Sequence, residues 1–320
     1  MEHCGAFGFR LDPHLFGRRY LHTAAPDWPA LEVRVGDPPE GWREVFAGDG
    51  WAVRVRRGGE AVWWTGGAVH RPDSRVHPML SLVVCAATLE RGGDCLHAGA
   101  VHTPDGVVAV LAPSGGGKTS TMAYLAFEAG LDVLTDDHLN LRDGVAHAGP
   151  GCLDLRPDAA ARLGFASAPG GDFADLAVVA ATNQARTGYA GHHNCKIAVR
   201  GPGAVRGPEA GGEVVRGGER VRLELPAPRT LAAPVVRTVV LEWGDSERVD
   251  PVPPRERLAL LCAARTAPLV PGGLAVPLAL AALPMHRVTR RRTFGTLPWT
   301  ARAVLTGSTV ERPWWSAAGT

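Results

Sequence analysis

The 320-residue sequence predicts an α/β fold preceded by a small β-rich unit. Two observations carry the α/β assignment. The apolar run Val107-Val108-Ala109-Val110-Leu111, bounded by turn residues, has the length and composition of a strand buried on both faces. It leads through a glycine-rich segment into residues 121–129, whose pattern predicts a helix stopped by Gly130. A third observation sets the boundary, because short strand-like stretches separated by turns fill the chain before residue 78. We therefore divide it into a β-rich N-terminal unit, 1–77, and an α/β domain, 78–320.

Within the N-terminal unit, Leu31–Val35, Trp51–Val55 and Ala61–Thr65 are rich in β-branched and aromatic residues, and Gly36-Asp37-Pro38-Pro39 and Gly58-Gly59 break the chain between them. His77-Pro78 then introduces an apolar stretch, Met79–Leu89, with helical character, closed by Arg91-Gly92-Gly93. From Cys95 the order becomes a strand over 95–102, a Pro104-Asp105-Gly106 turn, the strand 107–111, the helix, and a strand over 131–135. Two Gly- and Ala-rich stretches, 166–194 and 201–218, read as long loops, either functional lids or connectors. Strands return at 220–225 and 235–241, followed by helical segments near 254–265 and 272–283. No internal repeat is present.

The segment joining the strand 107–111 to its helix is Ala112-Pro113-Ser114-Gly115-Gly116-Gly117-Lys118-Thr119-Ser120. It looks like a phosphate-binding P-loop in which alanine replaces the first glycine. The chemistry survives that change, because successive backbone N–H groups from Ser114 to Lys118 and the start of the helix would cradle phosphate oxygens. Lys118 adds a point charge on the β- and γ-phosphates, and the Thr119 hydroxyl suits Mg²⁺. Glycine is abundant, at 40 residues, so the glycines alone are weak support. Lysine is not abundant: the chain has only Lys118 and Lys196. Arginine's planar fork is a poor substitute for a compact ammonium in a tight phosphate nest.

Asp136-Asp137 follows the strand 131–135, at the carboxyl end where open α/β sheets bind ligands. One carboxylate there can hold Mg²⁺ and the other can take a proton from an attacking hydroxyl. Their proximity makes ionisation of both harder and tunes one as a base. His97 lies on Leu96-His97-Ala98-Gly99-Ala100-Val101, expected to run beside the strand 107–111. A lone histidine in an apolar strand is ordinarily a hydrogen-bonded core residue.

Taken together, Leu96–Val101, Ala112–Thr119 and Leu134-Thr135-Asp136-Asp137-His138-Leu139 resemble the catalytic core of the HPr kinase/phosphorylase family and its HPr-kinase-related branches. Those proteins share a nucleotide fold with phosphoenolpyruvate carboxykinases. The resemblance, best over residues 78–160, implies an HPr kinase/phosphoenolpyruvate-carboxykinase-like P-loop core. It also implies catalytic roles for His97, Lys118 and Asp136. The family's P-loop hydroxyl on Mg²⁺ falls on Thr119, and its second metal ligand, a glutamate in a Glu-Ile-Arg-Gly segment, falls nearest to Asp154 in Asp154-Leu155-Arg156-Pro157. The shortened acid and lost glycine argue against the phosphorylase half-reaction and against recognition of the phosphocarrier HPr.

Composition narrows the partners. A net charge of +2 gives no electrostatic case for nucleic acid or an anionic membrane, and Arg290-Arg291-Arg292 reads as a solvated helix or strand end. The lack of a spanning apolar run or a leader predicts a cytoplasmic protein. Six scattered cysteines are expected reduced and mostly buried, and His192-His193-Asn194-Cys195 reads as a polar loop in preference to a metal site. The expectation is an ATP- and Mg²⁺-dependent kinase, with Ser114, Gly115, Gly116, Gly117, Lys118, Thr119 and Ser120 on the phosphates and Thr119, Asp136 and Asp154 as metal candidates. Asp136 would act as the base, aided by His97, with Asp137 and Asp154 as second-line metal or orienting candidates and Asp137 counted with the catalytic residues. The acceptor would be a hydroxyl-bearing small molecule, peptide or protein. Lys196 reads equally as a nucleotide-reaching or a surface residue, and the oligomeric state, a homo-oligomer included, stays open. The alternative is an ATP-binding regulatory protein without phosphoryl transfer. A carboxykinase-like enzyme fits less well, since its additional metal and substrate motifs have no clear counterpart and such an enzyme should be larger.

Overall fold

The computed structural model describes residues 3–48, 50–66, 75–165, 199–200, 220–266 and 273–308. The stretches 166–194 and 201–218, with His192, His193, Cys195 and Lys196, lie outside the described residues. The N-terminal part contains a three-stranded antiparallel sheet of β1 (Cys4–Ala6), β2 (Phe9–Leu11) and β3 (His22–Thr23), with a short helix α1 (Pro13–Phe16) between the last two. A four-stranded sheet follows, built from β4 (Glu32–Val35), β5 (Arg43–Gly48), β6 (Trp51–Val55) and β7 (Ala61–Gly66) in the order β4-β7-β6-β5. Three of these strands match the stretches expected from sequence.

Helix α2 (Met79–Glu90) forms over the expected span, and its apolar residues are buried nearly all round. The reason is its position between two partners. Leu80, Val83 and Val84 share a core with Val53, Val55, Val62 and Trp64 of the N-terminal sheet. Phe7, Phe9 and Cys152 belong to the same cluster, so the β-rich unit and the α/β domain are joined by continuous apolar packing.

The central sheet uses β8 (Asp94–Leu96), β9 (Ala98–Thr103), β10 (Gly106–Leu111), β11 (Val133–Thr135), β12 (Leu139–Arg142) and β13 (Val145–His147). It is completed by β17 (Ala232–Trp243), β18 (Arg248–Pro251) and β19 (Met285–Arg290). Away from it, β14 (Cys152–Leu155), β15 (Val199–Arg200) and β16 (Val221–Glu224) make a small antiparallel sheet. Strand β10 is central, parallel to β17 and antiparallel to β9. Its side chains alternate between two cores. Val108 and Val110 pack with helix α3 (Lys118–Phe127) and helix α7 (Leu297–Thr306), whereas Val107, Ala109 and Leu111 face helices α5 (Pro254–Ala263) and α6 (Ala275–Ala281). A strand covered on both faces must be apolar throughout, and burial of each valine or leucine is worth about 1.5–3 kcal/mol. The remaining helix, α4 (Pro157–Arg162), follows β14.

Two details depart from expectation. The strand expected over 95–102 is broken at His97. Residues 95–97 pair with the chain leaving α5, through His97 N–H to Ala264 O at 2.6 Å and Thr266 N–H to Cys95 O at 2.9 Å. This pulls β8 toward β12 while β9 stays against β10. Strand β11 is shorter than expected, and it pairs with β9, one position removed from β10. Since both pairings are antiparallel, β11 still runs parallel to β10 and ends on the same side of the sheet. No described helix is long and apolar enough to cross a membrane.

Candidate functional site

Strand β10 ends at Leu111, and the chain turns through the glycine-rich segment into α3, whose first residue is Lys118. Gly115 and Gly117 have φ of +75° and +79°, in the left-handed region that costs other residues strain. The turn is held by Gly116 N–H donating to Pro113 O at 2.8 Å. Gly117 has a second reason to be glycine, because a Cβ there would lie 2.5 Å from the Arg290 guanidinium and 3.0 Å from the Trp243 ring.

Those two side chains come from the neighbouring strand ends. Trp243 closes β17 and Arg290 closes β19, opposite each other in register. The guanidinium sits 4.3 Å from the Trp243 ring centroid and donates to Gly116 O at 2.9 Å, while Trp243 Nε1–H donates to Gly115 O at 3.1 Å. In a planar trans peptide the Gly117 N–H points opposite to the Gly116 carbonyl, hence away from Arg290. The first-turn amides of Lys118, Thr119 and Ser120 have no acceptor within the helix. The loop therefore leads into unpaired backbone donors at the positive end of a helix, suited to an anion. Arg290 is 1% exposed, contrary to the solvated strand end expected of the arginine run, and burial lowers its pKa to about 10.

The loop forms one wall of a cleft of about 460 Å³ that also reaches Asp136, Asp137, His97, His77, His138 and Asp154. All the candidate residues in the described chain thus line one space. At its centre is Asp137, not Asp136. Asp137 Oδ1 lies 3.2 Å from His97 Nδ1 and 3.4 Å from Lys118 Nζ, and Oδ2 lies 3.2 Å from His138 Nε2 and 3.6 Å from His77 Nε2. Burial alone would raise the Asp137 pKa, but the hydrogen bond and charge of His138, with the charges of Lys118 and His77, hold it well below the usual carboxylate range. Lys118 is 6% exposed, and its pKa falls through desolvation, opposed by Asp137 and Asp136. Desolvation also lowers the pKa of His97, with the Lys118 charge adding to it, and lowers that of His77 against the pull of Asp137.

Asp136 is the opposite case. No ion pair engages it among the described residues, and desolvation followed by the charges of Asp137 and Asp154 raises its pKa to about 8. The adjacent carboxylates are thus driven apart, one firmly ionised and the other poised near neutrality. Gly99 makes this arrangement compact, since a Cβ there would lie 2.8 Å from Met122 on α3. Asp154 is bound through both oxygens by Arg222, each at 2.7 Å, across the β14–β16 pair. That pairing already neutralises the charge a cation would need.

Sequence reasoning did not single out Trp243 and read Arg290 only as part of a solvated end, because the roles of both depend on strands distant in the chain. It also assigned nothing to His77 or His138, although both adjoin named features. The five described cysteines are free, four buried and Cys262 half-buried. In comparisons with known proteins, the chain matches no family model and no curated protein.

Proposed function

We propose that this chain is an ATP- and Mg²⁺-dependent kinase of the HPr-kinase-related type, transferring the γ-phosphoryl group to an aliphatic hydroxyl of a small molecule, peptide or protein. The observation that carries this reading is the convergence of the glycine-rich loop, Lys118 and the Asp136-Asp137 pair in one cleft. The backbone amides of the loop and the first turn of α3 would bind the phosphates as a P-loop does. Lys118, paired with Asp137 in the ligand-free chain, would turn its charge to the β- and γ-phosphates.

Asp136 fits the general base. It is an unpaired carboxylate with a pKa of about 8, close to the pH at which it would exchange a proton with a hydroxyl. In its ionised form it would accept that proton as the hydroxyl oxygen bonds to the γ-phosphorus and the bond from that phosphorus to the β,γ-bridging oxygen breaks, releasing ADP, while His97, tied to Asp137, orients the acceptor. The residues also fit Mg²⁺, because crowding of the Asp136 carboxylate by two other acids is relieved by a cation, and Thr119 offers a hydroxyl in the same cleft. When bound, Mg²⁺ would neutralise charge on the transferred group.

The test is Mg²⁺-dependent turnover of ATP by the purified full chain with a pool of hydroxylated metabolites and peptides, alongside Asp136→Asn. Phosphorylated product in wild type, reduced about 10²- to 10⁴-fold in the variant, supports transfer through this base. Tight ATP binding by both proteins with no product from any acceptor replaces the reading with a nucleotide-dependent regulatory protein.

A further inference from the structure

The phosphoryl-transfer reading uses one face of Asp137 and leaves the other unexplained. Oδ1 faces Lys118 and His97, whereas Oδ2 faces two imidazole nitrogens, His138 Nε2 and His77 Nε2. Two imidazole nitrogens thus converge on the carboxylate oxygen that Lys118 and His97 do not face.

Their geometry has a simpler account. One ring nitrogen of His77, one of His138 and a carboxylate oxygen of Asp137 all lie within 4.8 Å of one another. Tetrahedral zinc with bonds of about 2.0–2.1 Å separates its ligand atoms by roughly 3.3 Å. Two edges here, 3.2 Å from His138 Nε2 and 3.6 Å from His77 Nε2 to Asp137 Oδ2, bracket that value. The second ring nitrogen of His138 is also engaged, with Nδ1 3.4 Å from Thr266 Oγ1. Such an outer hydrogen bond fixes the tautomer and aims Nε2 at a metal.

We infer that His77 Nε2, Asp137 Oδ2 and His138 Nε2 form a binding site for a first-row divalent transition ion, of which Zn²⁺ is the best match. Two imidazoles and one carboxylate select such an ion over Mg²⁺ and Ca²⁺, which prefer all-oxygen shells. The site does not depend on phosphoryl transfer and does not use Thr119 or Asp136. Its occupation would cross-link the segment entering α2 to the loop between β11 and β12. It would thereby fasten the packing junction of the two parts of the chain to the cleft.

The experiment titrates the chelator-treated full chain with Zn²⁺ and separately with Mg²⁺, in the absence of nucleotide, and compares wild type with His77→Ala, His138→Ala and the double variant His192→Ala/His193→Ala. One tight zinc equivalent is expected in wild type and in the His192/His193 variant, undisturbed by millimolar Mg²⁺. Both His77→Ala and His138→Ala should bind it at least about tenfold more weakly. Should an alanine variant fail to fold, paramagnetic shifts of two imidazoles in Co²⁺-loaded wild type, assigned with His77→Gln, serve in its place. Unchanged affinity in both single variants, or loss of zinc only with His192→Ala/His193→Ala, overturns the inference. Because the readout is metal alone, its failure leaves the kinase reading untouched, and failure of phosphoryl transfer leaves this site standing.

Discussion

Replacing Asp136 by asparagine should stabilise the protein in the absence of nucleotide and metal while removing the proposed phosphoryl transfer. The carboxyl is pushed from an ordinary value of 3.8 to about 8 by desolvation and by two neighbouring acids. One pKa unit is worth about 1.4 kcal/mol, so the full difference bounds the penalty of its charge at about 6 kcal/mol. Partial solvent contact, and the gain Asp137 makes from the same cluster, reduce what asparagine recovers to about 2 kcal/mol. For a chain of this size that corresponds to a rise of about 3 °C in Tm. The sign of the pH dependence follows. Below pH about 4 the group is protonated in both folded and unfolded states and costs nothing. As pH rises toward 8 the unfolded chain releases its proton while the folded one retains it, so wild type loses stability progressively. Differential scanning calorimetry without nucleotide or metal, at several values from pH 5 to 8.5, measures the gap between variant and wild type. A gap that widens with pH agrees with the argument, and a variant equal to or less stable than wild type at pH 8.5 refutes it.

Three other perturbations test the supports of the cleft. Gly117→Ala would force a side chain into the left-handed region and against Arg290 and Trp243, at about 1–3 kcal/mol, and should weaken nucleotide binding measured by calorimetric titration. Arg290→Lys keeps a charge but loses the planar stack on Trp243 and the aim at Gly116 O. A loss of about 1–3 kcal/mol in urea unfolding is expected, together with poorer nucleotide affinity, and an unchanged affinity would remove Arg290 from the loop's support. Asp94→Asn breaks the ion pair with Arg265, where the two side chains are 2% and 7% exposed, and leaves a buried guanidinium without its charge partner. The expected cost is about 3–5 kcal/mol in the same assay, with a change in the His97 imidazole resonances, because Arg265 follows the residue whose carbonyl accepts from His97.

The glycine-rich loop, its strand and its helix were legible in the sequence because their determinants are local. An apolar run, glycines at the turn and one lysine among arginines each act over a few residues. The β-rich character of the N-terminal part was legible for the same reason, through β-branched runs and turn residues. Strand β9 was legible as a strand, but not its separation from β8, because the break at His97 is made by Ala264 and Thr266, more than 160 residues away. The acidic pair could be located, but which acid would be ionised could not. That choice depends on His77, His138 and Lys118 gathering around Asp137 and not around Asp136.

Local sequence thus determined which residues could bind phosphate and where a strand would deliver two carboxylates. Tertiary structure decided what each group experiences. Arg290 belongs to a run that looks fit only for solvent, yet the pairing of β17 with β19 buries it against the loop, where it fixes the Gly116 carbonyl. The physical difference is one of range. Backbone preferences and side-chain patterning are written in neighbours along the chain, whereas desolvation, charge pairing and the orientation of a carbonyl depend on partners that folding brings within a few ångströms.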